Sequence, residues 1–328
     1  MKKVNVICSY VLTGVIAMSA VVGGKVNAET KRPITVVVPF DVGGPTDAIA
    51  RDFTKRLSDV LKQPVIVENQ AGAGSRIGSA YVARSKPDGH TLLLTSGSSL
   101  TSQPALYKKL PYDVKSDFIG IAKMNHAPQV LVVNPEFPAN NLAEFLDYAK
   151  ANPEGITIAS PGLGSAIHLV LEIFQSEAGI KLNHVPFTGS SPAISAVLGG
   201  HVMAYMDSPQ STLPHILSGK VKPIAVTTPE RYKPLANVPT MAESGLPGVT
   251  APSWAGIFAP KDTPPETLDI LSVAAEKAIS QPEFEQSLQK LGFERAYAGG
   301  AEFKQYIDDQ LQHYQNAAEL AGLQPLDK

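Results

Sequence analysis

The chain has 328 residues, 44% of them hydrophobic and 18% charged, with a net charge of −2. That length accommodates two ordinary domains, and the near balance of charge leaves no basic footprint for nucleic acid. A single cysteine, Cys8, excludes an internal disulfide and a cysteine-built metal site.

The first thirty residues read as an export signal. Lys2-Lys3 precede an apolar run from about Val6 to Val22, and Val26-Asn27-Ala28 supplies small residues before a cut. Cleavage after Ala28 is expected, with residues 1–28 as signal peptide. A retained anchor is the competing reading, but Ser9, Thr13, Gly14 and Ser19 interrupt the run, which falls short of the ~20 strongly apolar residues of a span. Cleavage removes Lys2, Lys3, Lys25 and Cys8, leaving a mature chain more acidic and without a thiol nucleophile. An exported protein without disulfides suits a bacterial periplasm.

Ile34 to Val38 is a short β-branched run, read as a buried strand of a parallel sheet. Gly43-Gly44 turns the chain, Pro45 suits the first helical position, and Asp47 falls in the first turn. Ile49, Phe53, Leu57, Val60 and Leu61 recur at helical spacing as far as Leu61. The unit is either a backbone-built anion site or simply a tight strand–helix connection. Pro64 to Val67 reads as a second strand, Gly72 to Gly78 as its loop, and a helix using Ile77, Ala80, Tyr81 and Ala83 should follow. The loop spacing is GxGxxxG, and Thr91 to Leu94 ends in Thr95-Ser96-Gly97-Ser98 without an acid for a ribose, so a dinucleotide site is rejected. Pro104 to Asp117 reads as an irregular connector, with Phe118 to Ala122 and Pro128 to Val133 as strands.

The opening pattern then returns. Gly155 to Ser160 is a strand, Pro161 to Ser165 a turn, and Ala166 to Ala178 a helix striped by Leu169, Val170, Ile173 and Phe174. Leu182 to Phe187 is a strand, Ser191 caps a helix begun by Pro192, and Gly199-Gly200 stops it. Val202 to Met206 is a strand opening on Asp207-Ser208-Pro209 and a helix to about Ser218. Val221 to Thr227 and Trp254 to Phe258 are strands, and helices Pro265 to Ile279 and Ala301 to Ala321 finish the chain. Two α/β blocks with loops at their strand ends predict two lobes with a ligand cleft between them, where helix N-termini bind a small carboxylate. No GxSxG elbow, HExxH or histidine-rich run supports hydrolytic or metal chemistry, and no metal or cofactor is expected. Asp47 and Asp207 could suggest paired acid–base chemistry, but nothing in the sequence raises the pKa of either.

A family resemblance stands on longer motifs. Arg32-Pro-Ile-Thr-Val-Val-Val-Pro-Phe-x-x-Gly-Gly-Pro-Thr-Asp47, Gln63-Pro-Val-x-Val-Glu-Asn69, Pro87-Asp-Gly-x-Thr-Leu-Leu-Leu94, Pro104-Ala-Leu-Tyr-Lys-Lys-Leu-Pro-Tyr112 and Leu131-Val-Val-Asn-Pro135 resemble the solute-binding receptors of tripartite tricarboxylate transporters, the Bug or TctC family. Val185-Pro-Phe-x-Gly-Ser-x-Pro-Ala193, Leu198-Gly-Gly200, Asp207-Ser208, Val238-Pro-Thr240 and Trp254 continue the match across nearly the whole mature chain. The resemblance implies a type II periplasmic-binding-protein-like α/β fold with two crossovers, near Asn125–Val130 and Thr250–Trp254. Lobe one is then 29–125 plus 251–328, and lobe two 126–250. It also implies a monomer that hands a di- or tricarboxylate to integral membrane transporter subunits. Signalling to a membrane kinase is the alternative, and a periplasmic hydrolase a more distant one.

Carried over by position, Phe40, Asp41, Val42, Gly43, Gly44 and Asp47 form a first pincer and Ser160, Gly164 and Ser165 a second. Ser96 and Gly97 line lobe one, and Thr188, Gly189, Ser190 and Asp207 line lobe two. Departures from the family pattern are Asp41-Val42, Ser75-Arg76 beside Gly74, and Phe187 in place of tyrosine. Asp47 is a helix-terminus carboxylate or a ligand contact, and Asp207 a cap, a pocket residue or both. Arg76 either grips a distal carboxylate or is a solvated arginine of the first helical turn. Phe187 with Arg76 points to an aromatic or medium-chain dicarboxylate. The resemblance places His126 at the first crossover, within reach of a ligand; His168 and His184 read as hydrogen-bonded packing residues, with His126 and His168 counted in the pocket set. Trp254 is hinge-side core or an aromatic lid.

Overall fold

The computed structural model describes residues 32–163, 165–320 and 322–326. The signal segment with its cut after Ala28, Cys8, and Gly164 of the second pincer lie outside them.

The opening unit is strand β1 (Ile34–Val38) and helix α1 (Pro45–Leu61). Pro45 takes a first-turn position, Ile49, Ala50, Phe53 and Leu57 face inward, and Lys62 ends the helix in the left-handed region at φ 51°. Strand β2 (Val65–Asn69), α2 (Arg76–Ala83), β3 (Thr91–Ser96) and α3 (Gly97–Leu106) follow. Next come β4 (Phe118–Ala127), β5 (Val130–Val133), α4 (Leu142–Ala151), β6 (Thr157–Ser160) and α5 (Ala166–Ala178). The series continues with β7 (Asn183–Pro186), α6 (Ser190–Leu198), β8 (Ala204–Asp207), α7 (Pro209–Leu217) and β9 (Lys222–Val226). It closes with β10 (Ser253–Pro260), α8 (Pro265–Ile279), α9 (Pro282–Lys290), β11 (Glu294–Gly299) and α10 (Gly300–Leu320).

Two sheets result, ordered β11-β4-β10-β3-β1-β2 and β7-β6-β8-β5-β9. In the first, β2, β1 and β3 run parallel while β10 and β11 pair antiparallel; in the second, β7, β6 and β8 are the parallel set. The chain leaves the first sheet from β4 through Pro128-Gln129 into β5, and returns through Ala251-Pro252 into β10. Thr227 stitches the two passages: it exchanges bonds with Gln129 (N–H to Oγ1 2.8 Å, N–H to O 3.0 Å) and with Ala251 (3.1 and 3.2 Å).

Each sheet carries apolar cores on both faces, as alternation along its strands requires. On β10, Ile257 and Ala259 join the core under α1, α8 and α9, while Trp254 and Phe258 join the core under α2, α3 and α10. Helix α10 serves both sheets. Its Phe303, Ile307 and Leu311 pack beside Trp254, whereas Tyr314, Ala317 and Ala318 join Ala105, Leu106 and the α5 face (Leu169, Ile173) in the core of the second sheet.

Several expectations require correction. Gly97 to Leu106 is a helix, although the connector reading took Pro104 as its start. Pro104 stands in the last turn, and the polar run ahead of it is held by burial: Thr101 Oγ1 donates to Gly97 O at 2.9 Å, and Gln103 donates to Gly74 O. β4 runs on to Ala127, and α6 begins at Ser190 rather than Pro192 because Gly189 adopts φ 133° just before it. On α2 the inward residues are Gly78, Ser79, Ala80 and Val82, and Ile77 and Tyr81 face solvent. A Cβ on Gly78 would lie 2.8 Å from both Gln70 O and Pro39 Cβ, so the bare glycine face is what lets α2 sit so close to the sheet.

Candidate functional site

The described pocket residues expected from the sequence lie at or just beyond the C-terminal ends of the parallel strands β1, β2, β3, β6, β7 and β8, in the connecting loops and the first turns of the helices that follow, apart from His126, which lies on β4. In open α/β sheets those ends, with helix N-termini pointing out of them, are where ligands bind.

The first loop is organised by Asp47, which is only 2% exposed. Its Oδ2 accepts from Gly43 N–H and Arg51 Nε, both at 2.9 Å, and its Oδ1 from Asn69 Nδ2 at 2.8 Å. Asn69 also donates to Phe40 O at 3.1 Å, tying the start of the turn to its end. Burial works to raise the Asp47 pKa, but hydrogen bonds from Arg51, Gly43 and Asn69 outweigh it and hold the carboxyl below the usual aspartate value. Asp47 therefore stays ionised and shapes the turn. Phe40 leans on the core, and Asp41, Val42 and Gly43 project to solvent, with Val42 70% exposed. Gly43 needs its glycine, at φ 88°.

The second loop is organised by Ser160, which is fully buried. Its hydroxyl lies 2.7 Å from His184 Nε2, and Ser160 O accepts from Phe187 N–H at 3.0 Å. Ser165 caps α5, accepting from His168 N–H at 3.2 Å and donating to Gly162 O at 2.7 Å. The His168 and His184 rings stack at 4.6 Å, and His168 Nε2 lies 3.6 Å from Glu172. Burial, then His168, pushes the His184 pKa down, which favours a neutral imidazole. Leu163 stands 69% exposed at the loop tip. Replacing Ser165 by alanine is expected to cost about 1 kcal/mol of unfolding free energy in urea, the value of an N-cap.

Asp207 gathers a third group. It accepts from Tyr205 OH, from Ser208 N–H at 2.7 Å and from Ser211 Oγ at 2.9 Å, and Tyr205 OH also faces Ser190 O at 3.4 Å. Thr188 is exposed, and Gly189 stands before α6. In the first sheet, Gln103 Nε2 holds Gly74 O and lies 3.2 Å from Ser75 Oγ, and Tyr112 donates to Gln103 Oε1. That support maintains Ala73, Gly74 and Ser75 at φ 48°, 63° and 79°. Ser96 precedes α3, and Gly97 opens it against the ring of Trp254.

Arg76 follows directly on the Ala73–Ser75 turn, and His126 stands apart from these groups. Arg76 Nε donates to Ala73 O at 2.7 Å, and its guanidinium lies 4.0 Å over the Tyr107 ring. His126, on β4, lies 3.4 Å from Glu294; burial, then Lys123, lowers its pKa against the pull of Glu294. Lys123 beside it is pushed down to about 8 by burial and sits 4.0 Å over Tyr306. Asn69, Gln103, His184, Tyr205 and Ser211 complete the site's framework. Sequence reading passed over Asn69, Gln103, Tyr205 and Ser211 because each acts through a contact made only by the fold; His184 was noted, but not its partner Ser160.

Chemically, the loops present backbone N–H groups of first helical turns, which have no partner inside their helices. The two buried carboxylates are already saturated with donors. Among the described residues no group of three metal-ligating side chains forms, and no helix is long and apolar enough to cross a membrane.

The fold is of the periplasmic-binding-protein type. A family model, the tripartite tricarboxylate transporter family receptor (TctC), matches residues 49–323, and the chain belongs to that family. Among solved structures it resembles the periplasmic binding protein BugD, at 34% identity and TM-score 0.75 over 90% of this chain and 99% of that one. A Rhodopseudomonas palustris protein solved with adipate is 29% identical, TM-score 0.78, over 90% and 99%. MatC of the same organism, with bound malate, is 32% identical, TM-score 0.73, over 88% and 99%.

Proposed function

We propose that this chain is an exported receptor that closes over a small organic di- or tricarboxylate and passes it to the integral membrane subunits of a tripartite transporter. The observation that carries this reading is that the strand-end loops of both sheets present helix N-termini while the buried carboxylates Asp47 and Asp207 are turned onto their own donors and Asp41 projects to solvent. An anion meets N–H groups without meeting a free carboxylate of the framework. Val42 and Leu163 at the loop tips supply apolar cover for a carbon chain. The adipate and malate bound by the two relatives are dicarboxylates, in keeping with this ligand class.

In this reading, residues 1–28 direct export to the periplasm, residues 29–125 with 251–328 form one lobe and 126–250 the other. They close as a monomer about the passages stitched by Thr227. Catalysis has no support in the geometry: the Ser160–His184 pair is a nucleophile–base spacing, but Ser160 is buried and the next group along is a stacked imidazole instead of an orienting carboxylate.

Thermal unfolding of the purified protein against a panel of organic acids is the test. A true ligand at ~100 times its dissociation constant adds ~2.7 kcal/mol, a shift of several degrees. A panel including malate and adipate that leaves the midpoint unmoved, or consumption of candidate esters during incubation, would overturn the proposal.

A further inference from the structure

Helix α2 has an unusual outer face. With Gly78, Ser79 and Val82 turned to the sheet, Ile77 and Tyr81, four residues apart and so on one side of the helix, stand 55% and 48% exposed. Ile66, on the edge strand β2, is half exposed as well. Alongside α2 runs a cavity of about 880 Å3 that these two α2 residues line together with Arg32, Arg76, Arg84 and Lys86. Among the described residues that line it, none is acidic.

All three arginines are tethered, Arg32 by an ion pair with Asp88 at 2.7 Å. Arg76 is held by Ala73 O and the Tyr107 ring, and Arg84 donates to Pro111 O at 3.3 Å. Their remaining N–H groups are preorganised for carboxylates, which a guanidinium matches in a bidentate fork. With Arg32 neutralised by Asp88, a chain of net charge −2 still sets three cations, Arg76, Arg84 and Lys86, around one groove.

We propose that this groove docks an acidic, apolar-anchored segment of the membrane transporter's subunits; the proposal rests on the receptor reading above. Tyrosine, arginine and isoleucine around a concavity are the materials of an interface anchor, with Tyr81 and Ile77 burying apolar area and the cations pairing with carboxylates at the rim. A lipid surface is the weaker match, because it would meet a broad lysine-rich face and not tethered arginines around a recess.

The experiment uses Tyr81→Ala with Arg84→Glu, and Arg84→Glu with Lys86→Glu as a second variant. Each is introduced into cells that also carry the membrane subunits, and uptake of a labelled carboxylate is compared with the affinity of the purified variant. Affinity is expected to stay within two-fold of the parent while uptake falls at least ten-fold. Uptake equal to the parent in both variants would overturn the docking site. Groove-dependent sedimentation with protein-free phosphatidylglycerol vesicles would assign the groove to lipid and overturn it too. If the parent binds no carboxylate, the receptor reading fails on its own; a photo-crosslinking residue at position 81 then tests the groove separately. A crosslink to a membrane subunit supports it, and none overturns it.

Discussion

Gly97→Ala is expected to destabilise the protein by about 3 kcal/mol, near the top of the range for overpacking. Alanine is ordinarily the better helix former by ~1 kcal/mol, so the sign opposes propensity. The reason is contact: a Cβ at Gly97 would fall 2.1 Å from Trp254 ring carbons. The ring cannot step aside. It is buried against Phe303 (5.6 Å, 86°), Tyr306 (5.2 Å, 80°) and Phe258 (6.5 Å, 47°), on a strand paired along both edges. Urea unfolding measures the loss. Trp254→Leu in the same chain should recover part of it, giving a coupling of at least ~1 kcal/mol; a Gly97→Ala protein as stable as the parent would show that the ring yields freely. Gly97 opens α3, so carboxylate affinity should fall along with stability.

Asp47→Ala should cost about 3 kcal/mol at neutral pH. It leaves Gly43 N–H, Asn69 Nδ2 and Arg51 Nε without their acceptor, and bonds to a charged group are each worth ~1.5–3 kcal/mol before solvent, which reaches Gly43 and Arg51, recovers some of them. The pH dependence has a definite sign. Asp47 is held below the ordinary aspartate value, so its contribution is complete above about pH 4, where an unfolded aspartate is ionised. It fades as the pH falls from there through the lower folded value. Urea midpoints of the parent and Asp47→Asn should therefore differ most above about pH 5 and converge in stronger acid. A gap that does not change with pH would remove the carboxylate's charge from the explanation.

Much of the architecture was legible because the periodic signals were strong. Pro265 to Ile279 and Ala166 to Ala178 are helices between the residues expected from capping and spacing, and the β1–α1 unit is as its glycines and Pro45 indicated. The signals failed where burial overrode composition. Helix α3, with the run Ser-Ser-Leu-Thr-Ser-Gln, looks like loop and is helical because its polar side chains find partners inside the protein, Thr101 on Gly97 O and Gln103 on Tyr112. Helices α4 and α9 and strand β11 were passed over, the last forming only because β4 gives it an edge to pair with.

The site divides along the same line. Glycines, prolines and strand-ending residues are local properties of the backbone, so the strand-end loops proposed as the site could be named from spacing and family resemblance. Which side chains hold those loops is a matter of long-range geometry. Asn69 reaches Asp47 across 22 positions, His184 reaches Ser160 across 24, and Gln103 reaches Gly74 across 29. Arg76 illustrates the limit: its charge could be read from the sequence, but its bond to Ala73 O and its place over the Tyr107 ring, 31 positions away, could not. Residue order dictates what each turn is able to do, because dihedral preference and periodicity act over a few residues. Only the packed chain decides where a long, flexible side chain comes to rest, because that depends on partners distant in the sequence.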